Sequence, residues 1–383
     1  MSFENHIKAL KKANRFRSKR VINPKLKDLG SNDYLGLTSK KSLFKKAYKL
    51  CLKEGFSQSL KPSLQGEPRA SMLVNGYYSL HKRLESYLAR LHKAKACTLV
   101  GSGFLGNLSL FDTLVRKNDV LFIDEKYHAS GLFVTEKLKN AYIFSHNDAY
   151  DLKLKVKEFM ESNPNFKGEV FVAIEGIYSM DGDLGDVKIF EYVRAKNYYM
   201  IVDEAHSIGI LGDKLLGIFE HYHLKLREKD IILGTLSKAY ASYGAYILGS
   251  KDVIDFLCAK ARSIIYTTSL SLFDTALALV NVKYIHKNAS LLRLEIEKRQ
   301  RLLESILGVR IDSLIFMFKC KDIATLLSLQ KKLEKKGFFV GAIRPPTIST
   351  PSLRISLRLK TTILKGFFLD LKELSKSFSV KAA

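Results

Sequence analysis

Tyr199-Met200-Ile201-Val202-Asp203-Glu204-Ala205-His206, followed downstream by Thr235-Leu236-Ser237-Lys238-Ala239, decides the fold of this 383-residue chain. The first segment is an apolar run that ends abruptly in a carboxylate. The second sets a lysine among small hydroxyl residues just after another apolar run, 231–233. Short apolar runs with polar tips mark strands buried on both faces, whose carboxyl ends open onto a crevice in α/β proteins. Working outward, similar runs recur at 97–100, 120–123, 142–144, 170–174 and 246–248, with amphipathic stretches between them. Together with 200–202 they predict an α/β fold whose large domain holds a mainly parallel seven-stranded sheet between helices. The expected organisation is an N-terminal helix and arm over 1–40, the large domain over 41–273, and a smaller C-terminal α+β domain over 274–383.

Composition narrows the classes. A hydrophobic content of 46% is that of a folded globular protein. No apolar run approaches the roughly 18 residues of a membrane span, and no apolar segment follows the N-terminal charges as a secretory signal would. A cytoplasmic protein with no membrane partner is the expectation. Cys51, Cys97, Cys258 and Cys320 are scattered with no C-x-x-C pair, which argues against a disulfide framework and a zinc site, so no metal is expected. The formal charge of +25 admits a nucleic-acid-binding protein as the reading from a different class. Against it, the lysines are spread along nearly every segment and form no arginine-rich stripe interleaved with aromatics. The densest basic cluster, Lys8 to Arg20, carries Ile7, Leu10, Ala13 and Phe16 at helical spacing and predicts an amphipathic helix docked on the body.

Lys238 and Asp203 have the chemistry that pyridoxal 5'-phosphate requires: an amine to hold the cofactor as a Schiff base and a carboxylate to keep its pyridine nitrogen protonated. A lone lysine is normally a solvated surface residue. Here Thr235 and Ser237 can donate to a phosphate, and Ser242-Tyr243-Gly244 permits close backbone approach. Asp-Glu-Ala-His also matches a helicase motif, but the G-x-x-x-x-G-K-[ST] loop that reading needs is nowhere in the chain. Gly101-Ser102-Gly103-Phe104-Leu105-Gly106 matches G-x-G-x-x-G with Asp124 downstream, as a dinucleotide fold would. The same backbone amides at a helix start hold any phosphate monoester, so Gly103 and Phe104 are assigned to the cofactor phosphate. His128, after the run 120–123, offers a flat ring to stack on the pyridine. The stretch from Glu175 to Asp183 reads as a turn at another strand end.

These residues resemble the α-oxoamine synthase family, fold-type I pyridoxal phosphate transferases that condense an amino acid with an acyl thioester. The likeness runs from Ser31-Asn32-Asp33-Tyr34-Leu35-Gly36-Leu37 through His128-Ala129-Ser130, His146-Asn147-Asp148, Glu175 to Asp183, Asp203 to His206 and Thr235 to Ala239. The first motif and Gly341-Ala342-Ile343-Arg344-Pro345-Pro346-Thr347 look most like the biotin-pathway members, which join L-alanine to a pimeloyl thioester of coenzyme A or acyl carrier protein. Siblings use serine or glycine with other acyl groups. The resemblance implies that Lys238 is the Schiff-base lysine and Asp203 the partner of the pyridine nitrogen, with His128 stacked on the ring. It further implies that Ser179 and His206 bond the phenolic oxygen and that Thr235 joins Gly103 and Phe104 at the phosphate. It implies a homodimer in which Thr267 reaches a phosphate across the interface. Arg354 would grip the amino acid carboxylate, and Asn32, Thr347 and either Arg17 or Arg20 would line the substrate space. Within Gly66 to Gly76, Met72 stands where many members carry arginine or glycine.

Overall fold

The computed structural model describes residues 2–13, 15–55 and 70–376, and the chain divides into two compact units. The sheet-bearing unit comprises Leu35–Ser179 and Leu184–Arg293. All seven apolar runs are strands of its sheet: β1 (Ala96–Val100), β2 (Val120–Asp124), β3 (Ala141–Phe144), β4 (Val170–Glu175), β5 (Tyr199–Asp203), β6 (Asp230–Thr235) and β7 (Ala245–Gly249). Their order is β1-β7-β6-β5-β4-β2-β3, and every pairing is parallel except the two that β7 makes. The exception has a simple cause. A parallel return needs a crossover of a dozen or more residues. The link from Thr235 to Ala245 is shorter and holds only the turn that carries Lys238.

One sheet face, with Leu121, Ile123, Ile201, Leu233 and Ile247, packs on Leu110 and Phe111 of the helix Gly103–Thr113 and on Ile254 and Leu257 of the helix Lys251–Lys260. Alternate residues such as Phe122, Val172, Val202 and Ile232 turn to the opposite face and are equally buried. Burial on both faces is what made these strands read as unbroken apolar runs. The helix Leu272–Lys287 belongs to this unit, where it packs on the helices Lys41–Gly55 and Ser79–His92. The unit therefore ends at Arg293 rather than at residue 273.

The second unit comprises Met1–Tyr34, Met180–Asp183 and Leu294–Ala383. Its antiparallel strands β8 (Ile315–Lys319), β9 (Gly341–Ile343) and β10 (Ser352–Ser356) run in the order β9-β10-β8. The arm is sewn into it. Lys27–Asp28 pairs with Phe338–Phe339, Ser356 N–H donates to Leu29 O at 2.7 Å, and Arg358 binds Asp28 and Asp33 at 3.2 and 2.6 Å. The N-terminal helix is Phe3–Lys12, shorter than the basic cluster suggested, and none of its residues is buried. Phe3, Ile7 and Leu10 form its apolar stripe, and among the described residues all three remain exposed.

Candidate active site

The carboxyl ends of β4, β5 and β6 set the polar residues of the sheet-bearing unit. Asp203 and Glu175, paired in register on adjacent parallel strands, put two buried carboxyl groups on one sheet face. Asp203 Oδ2 accepts from Asn107 Nδ2 at 3.0 Å and Oδ1 from the Ala205 N–H at 3.0 Å. Glu175 Oε2 accepts from the Ser179 N–H at 2.9 Å, whereas Oε1 is buried and finds no partner among the described residues. Burial first, and then the charge of Asp203, pushes the Glu175 carboxyl well above the usual carboxylate range.

Lys238 sits on the turn after β6, and its Nζ lies 2.8 Å from His206 Nε2. The turn is held by the Ala241 N–H on Lys238 O at 2.9 Å and the Ser242 N–H on Leu236 O at 2.8 Å. Gly244, at φ +100°, supplies the left-handed residue that returns the chain to β7. Thr235 Oγ1 donates to Ala205 O at 3.4 Å, tying the lysine strand to the Asp-Glu-Ala-His loop.

Gly103 and Phe104 open an eleven-residue helix, where the first amides have no intrahelical acceptor. A side chain at Gly103 would come within 3.0 Å of Thr235 Cγ2, so glycine keeps the helix start close to Thr235. Thr267 lies beyond the helix Arg262–Ile265, beside Gly101 and Met72 in a small surface crevice. Gly66 to Arg69, the first part of the glycine-rich departure, fall outside the described residues.

His128 Nδ1 is 2.7 Å from Ser130 Oγ, and burial lowers the ring's pKa. Asn107, which the sequence reading did not single out, bonds both Ser130 and Asp203. A single asparagine inside a helix shows no pattern; only its place four residues after Gly103 hinted at it. Glu204, the second acid of the helicase-like motif, is wholly buried and accepts from the Ile218 N–H and the Ser207 hydroxyl, which makes it a loop fastener. Asp124 cannot take the ribose role of a dinucleotide fold, because its oxygens already accept from Lys126 N, Asn147 N and the Tyr178 hydroxyl.

In the second unit, Arg354 is buried on β10 and donates to Asn32 Oδ1 at 2.9 Å and to the Tyr34 hydroxyl at 3.1 Å. Arg17 donates to Thr347 Oγ1 at 2.6 Å. Arg20 goes elsewhere, to Glu334 at 3.1 Å and over the Phe339 ring.

An amine against an imidazole, a hydrogen-bonded aspartate at a strand end, a helix start closed in by Thr235 and an orphaned buried carboxyl oxygen together fit pyridoxal phosphate. The aminotransferase class I and II family model matches residues 24–365. The chain belongs to that family. It is 44% identical to the 8-amino-7-oxononanoate synthase of Helicobacter pylori strain J99 over 98% of this chain and 99% of that protein, and 45% identical to that of strain 26695 over the same shares. A putative 8-amino-7-oxononanoate synthase of Aquifex aeolicus is 32% identical over 92% of each chain. Among solved structures, a serine palmitoyltransferase of Sphingomonas wittichii shares the fold at TM-score 0.84, with 21% identity over 98% of this chain and 96% of that one. The 8-amino-7-oxononanoate synthase of Francisella tularensis does so at 0.70, with 23% identity over 93% and 98%. The chain is a fold-type I transferase whose cofactor is pyridoxal 5'-phosphate. Among the described residues no helix is long and apolar enough to cross a membrane.

Proposed function

We propose that this enzyme condenses L-alanine with a pimeloyl thioester, releasing carbon dioxide and the thiol carrier and yielding 8-amino-7-oxononanoate, in the cytoplasm. The observation that carries the reading is the Lys238–His206 contact at 2.8 Å beside the Asp203 strand end, in a chain 44% identical over nearly its whole length to a named synthase of that product. When bound, the cofactor supplies an electron sink for the pair left on the amino acid's α-carbon.

The chain's own groups do the rest. Lys238 would anchor the cofactor through its amine and is the group that would move the α-proton, with His206 Nε2 positioned to accept from its Nζ. Asp203 would face the pyridine nitrogen with its carboxylate, and His128 would offer its ring for stacking on the cofactor. Ser179 and His206 would bond the phenolic oxygen, and Gly103, Phe104 and Thr235 would hold the phosphate at the helix start. Arg354, its planar fork preset by Asn32 and Tyr34, grips the amino acid carboxylate. Of the two N-terminal arginines, Arg17 is assigned to the far carboxyl of the pimeloyl chain, because it pairs with Thr347 while Arg20 is committed to Glu334. The working form is a homodimer in which Thr267 serves the partner's phosphate, a role its place beside the exposed Tyr266 supports. The basic surface suits coenzyme A or an acidic carrier protein through salt-sensitive steering.

The test is mass spectrometry of the product made from pyridoxal phosphate, L-alanine and pimeloyl-coenzyme A. The expected product is 8-amino-7-oxononanoate. Turnover with serine or glycine and another acyl thioester, but none with this pair, would replace the substrate assignment.

A further inference from the structure

Four side chains around Asp203 form a hydrogen-bonded chain whose proton directions can be read one bond at a time. Tyr127 is packed edge-on against Phe111, with ring centroids 5.5 Å apart, and against Gly131, where a Cβ would come within 2.4 Å of the phenol ring. Its hydroxyl donates to Asn107 Oδ1 at 2.8 Å. Burial, reinforced by Asp203 and Glu175, pushes the phenol well above its ordinary pKa, so it stays a donor. With Oδ1 so engaged, the two Nδ2 hydrogens of Asn107 go to Asp203 Oδ2 at 3.0 Å and Ser130 Oγ at 2.9 Å. A flipped amide would set oxygen against the Asp203 carboxylate, so the orientation follows from both ends. Ser130 Oγ, already an acceptor, spends its own proton on His128 Nδ1 at 2.7 Å, and the Ser130 N–H also points at Nδ1 at 3.2 Å. Two donors on Nδ1 leave the ring proton on Nε2.

We propose that Asn107 is a positioning residue: oriented by Tyr127, its carboxamide holds the Asp203 carboxylate in place and, through Ser130, fixes His128 as the neutral tautomer protonated on Nε2. Asn107 touches neither substrate nor cofactor in this account; it acts through the two residues assigned to the ring. The inference rests on the pyridoxal phosphate roles given above to Asp203 and His128. It explains why a helix that starts at the phosphate carries a polar residue one turn in, at a position only 1% exposed.

The experiment uses the cofactor-loaded enzyme labelled with ¹⁵N-histidine, with the His128 signals assigned through His128→Gln and the tautomer read from ring ¹H–¹⁵N couplings. Wild type is expected to carry the proton on Nε2. Asn107→Ala is expected to show a mixture of His128 tautomers and a kcat at least about thirtyfold lower, with the KM for the amino acid within about threefold. Tyr127→Phe, which removes one bond and keeps the ring packing, is expected to lower kcat by about three- to tenfold; it carries the test should Asn107→Ala fail to fold. A wild-type His128 proton on Nδ1, or folded variants with kcat and tautomer unchanged, would overturn the hub. Borohydride labelling separates the two levels: wild type that traps the cofactor on Lys238 while the variants behave as wild type overturns the hub alone. Wild type that fails to trap it there overturns the underlying roles as well.

Discussion

Replacing Glu204 by glutamine should make the enzyme more stable at pH 8 than wild type and leave it nearly unchanged at pH 5. Glu204 is wholly buried, and both its oxygens lie within 3.0 Å of the Ile218 N–H. Gly176 and Gly217 press against it, since a Cβ at either would come within 2.7 Å of Oε2. Burial raises its pKa from 4.5 to about 7, although the Ser207 hydroxyl and the Ile218 and Phe219 amides pull the other way. The native state therefore holds the proton more tightly than the unfolded chain. The stabilisation is complete below the unfolded value near 4.5 and is lost as pH rises through about 7. At about 1.4 kcal/mol per unit, the shift amounts to roughly 3 kcal/mol of stability. Glutamine imitates the neutral acid: it carries no charge, and its carbonyl can still accept from the Ile218 N–H and the Ser207 hydroxyl. Urea unfolding with saturating cofactor at one protein concentration, from pH 5 to pH 8, measures the difference between the two proteins. A difference that stays flat across that range refutes the argument.

Asp203→Asn turns one of two accepting oxygens into a donor facing either Asn107 or Ala205, and it removes the charge opposite the pyridine nitrogen. Turnover should fall at least about a hundredfold, and a loss below tenfold in steady-state kcat would rule out the assigned role. Arg17→Ala should raise the KM for the pimeloyl thioester by about tenfold or more without affecting that for alanine, while Arg20→Ala changes either by less than about threefold. The reverse pattern in paired kinetics would move the assignment to Arg20.

The sheet was legible because parallel strands covered on both faces leave unbroken apolar runs, and each of the seven runs is a strand. Lys238 and Asp203 stood out as candidates for a related reason: polar residues at the tips of such runs have few structural uses. The Asn107 hub was not legible, because its partners Tyr127, Ser130 and Asp203 meet it only through the fold. Nor was the division of the units, since Leu272–Lys287 is apolar on most of its circumference and shows its allegiance only in what it packs against. The N-terminal pattern did mark a helix, but periodicity says that a stripe exists and not what covers it.

The choice between Arg17 and Arg20 was open to spacing alone and was narrowed by what each one touches. The same holds for the two carboxyls at the ends of β4 and β5. By residue type Glu175 and Asp203 are equivalent, and their register sets them side by side on one sheet face. Two like charges that close in a buried site cannot both persist. The surroundings divide the labour: Asp203 receives an N–H on each oxygen, whereas Glu175 receives one on Oε2 and leaves Oε1 bare. Burial first, and then the charge of Asp203, raise the pKa of the Glu175 carboxyl. Asn107 supplies one of the two donors on Asp203, so the hub both holds that carboxylate in place and sets how the neighbouring histidine is protonated.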